Sequence, residues 1–207
     1  MSAKYKYQNI TISGLPGCGS TTLLSLLKEE LEPDGWVGFS GGEFMRSYAI
    51  EKGLFNPSQS THHLATAYDD DFDRQVDYGM REKVSTSDKW ILESWLSGFM
   101  TQNVPGTLRV LMVCSDDAVR IDRIVNRDEV DVTDAKKSIH ERYEANLAKW
   151  RRMYAKEWQE WVVQTGKLPK EAEIDFWASE LYDLVIDTYS HNKEKTLELV
   201  LNAIKKT

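Results

Sequence analysis

The sequence predicts an α/β fold, in which helices connect the strands of a parallel sheet. Three observations lead to this prediction. Short apolar runs alternate with helical patterns along the chain, and a glycine-rich loop joins the first strand to the first helix at residues 14–22. With 207 residues, the chain has the length of one such unit, so a single domain is predicted over residues 1–207.

The predicted strands are apolar runs, several of which end in a polar residue. They cover residues 10–12, 36–40, 90–94, 108–114 and 182–188. The helices between them follow from apolar spacing and from start and stop residues. They are predicted over residues 21–31, from 43 to about 53, within 56–88, after a cap at 115–117, over 135–161 and over 193–205.

The glycine-rich loop has the spacing of a phosphate-binding loop. Gly14 and Gly19 occupy the two glycine positions, Thr21 the position whose hydroxyl reaches Mg²⁺, and Ser20 the position that is usually lysine. Glycines allow close approach of backbone amides to an oxyanion, and the helix N-terminus adds its positive dipole end. The alternative is a Gly/Pro turn that only caps the helix. The residues predicted to bind ATP phosphates are Gly14, Gly17, Cys18, Gly19, Ser20, Thr21 and Thr22.

Composition excludes several classes of function. A net charge of -7 argues against general binding of nucleic-acid polymers, which needs a basic face. Two cysteines, Cys18 and Cys114, give no framework for disulfides or zinc and suit a reducing cytosol. Residues 1–4 lead into a polar stretch unlike a signal peptide, and no apolar run approaches the ~20 residues of a membrane span. We therefore expect a cytoplasmic protein, monomer or dimer, that binds no membrane.

Five segments in chain order match motifs of one known family. They are ISGLPGCGSTT at residues 12–22, SGGEFMR at 40–46, ILESWLSG at 91–98, RIVNR at 123–127 and YDLVIDT at 182–188. Through them the chain resembles the nucleoside monophosphate kinases, most closely the short cytidylate kinase-like branch. The resemblance covers nearly the whole chain, and the ordered set is more specific than any single motif.

This resemblance implies a three-layer P-loop NTPase fold with a parallel sheet. It also implies a helical monophosphate-binding segment at about residues 41–88 and a small lid at about 127–155. The implied reaction transfers the γ-phosphoryl group of ATP, with Mg²⁺, to a nucleoside monophosphate, with CMP or dCMP as the first expectation. Such transfer depends on positioning and on charge stabilisation.

The resemblance also implies roles for residues at the donor end of the site. Thr21 would bind Mg²⁺ directly and Glu93 would hold it through water. Arg123 and Arg127 would face the nucleotide and the transferring phosphoryl group, and Arg142 would reach them from the lid helix. The alternatives are a strand-end carboxylate and helix arginines that serve only solubility.

At the acceptor end, the resemblance implies that Ser40, Gly41 and Arg46 bind the monophosphate, since the arginine fork matches phosphate oxygens. Asp73 and Asp77 lie four residues apart on one helix face and would recognise an exocyclic amine of the base. The alternative for these two carboxylates is an acidic, solvated helix.

Two departures from the family pattern remove cations from the predicted site. Ser20 replaces the loop lysine, as Thr does in some members of the short branch, and Ser94-Trp95 replaces a Gly-Arg pair. Other cations, namely Arg120, Lys149 or Arg151, could compensate in space. Two alternatives therefore stay open: a catalytically weakened nucleotide-binding protein with a regulatory or interaction role, and a kinase of the same fold with a different small acceptor.

Overall fold

The computed structural model describes residues 5–53 and 68–205. Its strands are β1 (Asn9–Gly14), β2 (Val37–Ser40), β3 (Trp90–Glu93), β4 (Thr107–Val113) and β5 (Leu184–Asp187). They form one parallel sheet in the order β2-β3-β1-β4-β5. All five predicted strands are confirmed.

Most of the longer helices begin at a polar side chain that accepts a hydrogen bond from the first turn. Asp116, for example, accepts from Val119 N at 3.0 Å, which confirms the predicted cap. The helices are α1 (Ser20–Leu31), α2 (Gly41–Glu51), α3 (Asp70–Thr86), α4 (Ser97–Met100), α5 (Asp117–Asp128), α6 (Val132–Met153), α7 (Ala155–Trp158) and α8 (Lys193–Ile204). Within the described ranges, none of them is long and apolar enough to cross a bilayer.

Helices cover both faces of the sheet. On the central strand β1, Ile10 and Ile12 point into the main hydrophobic core, which includes side chains of α1 and α8. Ser13 points to the opposite face, where its Oγ lies 3.2 Å from Ser97 Oγ of α4. The alternation of successive strand residues thus separates two helical layers, and the predicted three-layer α/β architecture is confirmed.

A second, aromatic core lies beside α4 and corrects one prediction. The helix predicted over 135–161 breaks at Tyr154, where the backbone leaves the helical region (φ -111°, ψ 19°), and residues Gln159–Val163 form a π-helical turn. Tyr154 and Trp158 are both fully buried and pack near Phe99. The helix is thus interrupted at the first of two buried side chains that pack into this aromatic core.

Helices α2 and α3 form the described part of the predicted monophosphate-binding segment, and residues 54–67 of that segment lie outside the described residues. The two helices meet through stacked rings, since the centroids of Tyr48 and Phe72 are 4.0 Å apart. Two acidic residues of α3, Asp73 and Asp77, consequently lie near the carboxyl ends of the strands.

Candidate active site

A cleft of about 1260 Å³ opens at the carboxyl ends of the central strands, where open parallel sheets bind their ligands. Residues of the β1–α1 loop, the ends of β2 and β3, and helices α2, α3, α5 and α6 surround it. Every residue predicted for the site lines this cleft except Cys18, whose side chain belongs to the main core. The lining residues are Gly14, Gly17, Gly19, Ser20, Thr21, Thr22, Ser40, Gly41, Arg46, Asp73, Asp77, Glu93, Arg123, Arg127 and Arg142.

Two glycines give the phosphate loop its shape. Gly17 and Gly19 have φ values of 83° and 87°, which disfavour any residue with a Cβ atom. At Gly17 a Cβ atom would also lie 2.7 Å from Arg120 Cγ, so α5 approaches the loop closely. Gly19 is the N-cap residue of α1 and has no side chain that could occupy the amides of the first turn. That first turn faces the cleft. Such a helix start is suited to binding an anion.

Ser20, at the lysine position, makes a buried hydrogen bond. Its hydroxyl donates to Glu93 Oε1 at 2.7 Å, and Ser40 Oγ donates to Glu93 Oε2 at 2.8 Å. Burial raises the pKa of Glu93, whereas the two hydrogen bonds oppose that rise. Glu93 therefore joins the ends of β2 and β3 to the first residue of α1.

The side chains near the loop include the oxygen ligands that a magnesium ion prefers. Mg²⁺ in kinases is held by one or two protein oxygens together with substrate phosphates and water. Glu93 supplies one carboxylate, and the exposed Thr21 supplies a hydroxyl on the same cleft wall. Within residues 5–53 and 68–205, no group of three His, Cys, Asp or Glu side chains is placed to hold a metal ion. A magnesium ion here would therefore need oxygen ligands from substrate phosphates and water.

The three predicted arginines take different places in the cleft. Arg123 donates to Gly17 O at 3.2 Å and to Thr188 Oγ1 at 2.7 Å, and it thereby ties the phosphate loop to the end of β5. Arg127 forms an ion pair with Asp128 at 2.8 Å. Arg142 extends from α6, and its guanidinium lies 5.4 Å from the ring centroid of Trp95. All three arginines also line the cleft.

The part of the cleft predicted to bind the acceptor contains a buried ion pair. Asp73 is 4% exposed, and its Oδ2 lies 2.8 Å from Lys149 Nζ. One turn further along α3, Asp77 Oδ2 accepts a hydrogen bond from Tyr154 OH at 2.6 Å. Burial raises the pKa of Asp77 to about 7, against the opposing effect of the Tyr154 hydrogen bond. These two carboxylates therefore have partners within the protein, and the alternative of an acidic, solvated helix is wrong for them.

Three residues of the cleft each carry a buried polar atom without a hydrogen-bond partner in the described structure. They are Asp73 Oδ1, Ser94 Oγ and Arg142 Nε. Because an unsatisfied buried polar atom costs about 1–3 kcal/mol, such atoms need an explanation. A ligand with a hydrogen-bond donor at one end and an anion at the other would satisfy Asp73 and Arg142 together.

The sequence prediction omitted several residues that complete the cleft. Trp95 and Trp150 supply an aromatic wall, and the loop from Thr188 to Asn192 supplies the far rim. Asp187 fixes this rim by accepting hydrogen bonds from Ser115 Oγ at 2.6 Å and from Tyr189 N at 3.1 Å. Trp95 was visible as a departure from the family pattern, but no local signal identified the others.

Comparison with known proteins gives sequence matches over most of the chain. A family model described as an AAA domain matches residues 10–149. The cytidylate kinase of Methanosarcina barkeri is 30% identical over 196 residues, covering 94% of this chain and 95% of that protein. The cytidylate kinase of Methanoregula boonei is 33% identical over 147 residues, covering 70% of this chain and 76% of that protein.

Solved structures with similar folds are more distant in sequence. An uncharacterized protein from Eubacterium ventriosum superposes with a TM-score of 0.60 at 14% identity, covering 94% of this chain and 96% of that chain. A gluconokinase from Sinorhizobium meliloti gives a TM-score of 0.50 at 12% identity, covering 95% of this chain and 90% of that one. At such identities the likeness shows the fold alone.

Proposed function

The chain belongs to the cytidylate kinase-like family of P-loop proteins, and on that premise we propose that it transfers the γ-phosphoryl group of ATP to CMP or dCMP. The observation that carries this proposal is the pair of unsatisfied atoms in one cleft, Asp73 Oδ1 and Arg142 Nε. CMP has a base amine at one end and a phosphate at the other, and so it offers a partner to each. The products are the nucleoside diphosphate and ADP.

The donor half of the site would bind ATP at the start of α1. Gly19 and the first turn of α1 line the cleft and would bind the phosphates through their amides, while Thr21 and Glu93 would hold Mg²⁺. The metal, when bound, neutralises phosphate charge as it develops. Arg127 and Arg142 line the same cleft and would supply positive charge to the phosphates. Residues of about 127–155 are the proposed lid, because they carry these two arginines.

The acceptor half would recognise the base through Asp73. Asp73 Oδ2 is already paired with Lys149, so the free Oδ1 is left to accept one hydrogen bond. Cytosine carries an amine at the position where uracil carries a carbonyl oxygen, so an acceptor atom favours cytosine and disfavours uracil. Arg46 and Ser40 line the cleft near the start of α2, within the proposed monophosphate-binding segment of about 41–88, and would receive the phosphate.

The direct test is to incubate the protein with ATP, Mg²⁺ and each nucleoside monophosphate, and to separate the products by chromatography. We expect CDP or dCDP, with UMP converted at least about 100-fold less efficiently by kcat/KM. Formation of another diphosphate in preference to these would overturn the choice of acceptor.

Asp73→Asn separates base recognition from a purely structural role. Since asparagine can present an amide donor where Oδ1 accepted, the ratio of CMP to UMP efficiency should fall by about 10-fold or more. The matched control is Asp71→Asn on the exposed face of the same helix. A uniform loss with all acceptors would mean that Asp73 only supports the fold through Lys149.

Ser20 favours one alternative, a nucleotide-binding protein with little turnover. Its hydroxyl is used by Glu93, so the loop has no side-chain cation at this position. If ATP raises the melting temperature but no monophosphate yields a diphosphate, this alternative gains over the kinase. The kinase itself is proposed to act in the cytosol, where its two buried free cysteines stay reduced.

A further inference from the structure

Arg142 is a cleft cation that forms no ion pair with any carboxylate in the described part of the chain. Its Nε is buried and has no hydrogen-bond partner. Burial, together with the neighbouring charge of Arg127, lowers the pKa of Arg142 to about 10, against the opposing effect of Asp128. The protein thus holds a guanidinium where desolvation and a like charge both oppose ionisation, and the opposite charge of a bound anion would offset this cost.

The contact that Arg142 does make is with an aromatic ring. Its guanidinium lies 5.4 Å from the ring centroid of Trp95, within the range of a cation–π interaction. Trp95 is itself fixed by two neighbours. The Nε1 of Trp177 donates to Trp95 O at 2.9 Å, and the rings of Trp150 and Trp177 meet the Trp95 ring edge-on at 5.5 and 6.2 Å.

We propose that Trp95 is a positioning residue that holds Arg142 toward the phosphates in the cleft, in place of the arginine that the family pattern has at residue 95. This proposal rests on the proposed function, because the anion concerned is the acceptor phosphate or the transferring group. A carboxylate in the same role would also orient Arg142, but it would neutralise the charge. An indole ring orients the guanidinium and leaves its charge and N–H donors to the phosphate.

The other cations considered from the sequence do not fill this role. Lys149 pairs with Asp73 at 2.8 Å, Arg151 Nε donates to Ile174 O at 2.9 Å, and Arg120 lies 3.5 Å from Asp117. None of the three lines the cleft. Arg142 does, on the same wall as Trp95.

Kinetics of single and double variants test the coupling. Trp95→Leu and Arg142→Lys should each lower kcat by about 10-fold, with KM for ATP changed less than about threefold. The double variant should be no slower than the slower single variant, since both changes remove one interaction. Trp95→Phe keeps an aromatic ring and should lose less activity than Trp95→Leu.

Trp90→Leu is the matched control at the other end of β3. Its ring carries Lys83 Nζ at 4.4 Å from the centroid, and it lies outside the cleft. This variant removes a cation–π contact from the strand that precedes Trp95, and kcat should stay within about twofold of the wild type. An equal loss of kcat in Trp90→Leu and Trp95→Leu would overturn the proposal, as would additive effects in the Trp95/Arg142 double variant.

A measurement without turnover separates this proposal from the proposed function. The Nε–Hε signal of Arg142, identified by its absence in Arg142→Lys, should be displaced upfield by the Trp95 ring in the free protein. Inorganic tripolyphosphate should shift that signal in the wild type and shift it less, at equal concentration, in Trp95→Leu. If these results hold while no diphosphate forms, the kinase assignment fails and the positioning role stands.

An Arg142 signal that is the same in wild type and Trp95→Leu, with the same response to tripolyphosphate, would refute the positioning role whatever the activity. Thermal unfolding of each variant checks that it folds. Should Trp95→Leu not fold, Trp95→Phe combined with Arg142→Lys completes the same cycle of variants.

Discussion

At the scale of single residues, Ser20 provides a buried hydrogen bond to Glu93 at the position where the loop pattern usually has a lysine. A lysine at this position would bring an ammonium group to the phosphates as a point charge. Ser20 instead donates to Glu93 Oε1, and Ser40 donates to the other oxygen. Both oxygens of a buried carboxylate thus have partners, which keeps Glu93 oriented at the cleft.

Ser20→Ala should lower kcat by about 10-fold and raise the Mg²⁺ concentration needed for half-maximal activity. The reason is that Glu93 Oε1 loses its donor, which costs about 1–3 kcal/mol and raises the pKa of Glu93 further. Steady-state rates over a range of Mg²⁺ concentrations measure both effects. Ser20→Thr keeps the hydroxyl and serves as the control. An alanine variant with the wild-type Mg²⁺ response would show that the hydroxyl is not needed.

The sequence identifies residues whose role is local and misses those that depend on distant partners. The loop spacing identifies Gly19 as one of two glycines needed for a tight phosphate loop, and Gly19 does have a positive φ angle. The pairing of Asp73 with Lys149 joins α3 to α6, so no window of sequence contains it. The loop position of Cys18 is visible in the sequence, whereas the burial of its side chain in the main core depends on distant residues.

At the scale of elements, α7 is held to α3 by a buried carboxylate. Glu157 is 5% exposed and its Oε1 accepts from Arg74 Nη1 and from Tyr78 OH, each at 2.7 Å. The strands were predictable because each is a short apolar run. The break at Tyr154 was not, because apolar spacing continues through it while tertiary packing decides the backbone.

Glu157→Ala should lower the stability of the protein by about 2 kcal/mol, because the half-buried Arg74 loses its carboxylate partner and Tyr78 OH loses its acceptor. This corresponds to a fall in Tm of about 4–8 °C for a chain of this size. Glu160→Ala is the matched control, since Glu160 is exposed and its ion pair with Lys156, at 3.6 Å, lies on the surface, so its Tm should stay within about 2 °C. Equal Tm values for the two variants would contradict the inference that Glu157 stabilises the contact between α7 and α3.

At the scale of the whole molecule, the pKa of Asp77 links folding to pH. In the folded protein its pKa is about 7, whereas in the unfolded chain it titrates near 4. The folded state therefore binds a proton that the unfolded state releases. The stabilisation is complete below about pH 4 and is lost as the pH rises through about 7. Asp73, Arg74, Lys149 and Tyr154 are the charged or titratable groups that act on Asp77.

Asp77→Asn removes this proton linkage and keeps an oxygen for Tyr154 OH. The Tm of the variant minus that of the wild type should thus increase by about 3 °C or more between pH 5 and pH 8. Differential scanning calorimetry across that range measures the difference. Asp71→Asn, on the exposed side of α3, should show a constant difference. Parallel curves for Asp77→Asn and wild type would mean that Asp77 stays ionised in the folded state.

The support of the phosphate loop by Thr188 has a consequence for biosynthesis. Thr188 Oγ1 lies 3.3 Å from the carbonyl oxygen of Cys18, a residue 170 positions earlier, and Arg123 also bonds to Thr188. On the ribosome, the loop is translated early, but its final supports arrive only after β5 has emerged. Folding intermediates that form before residue 188 has emerged therefore lack this support for the loop, and their stability depends on the packing of the part already made.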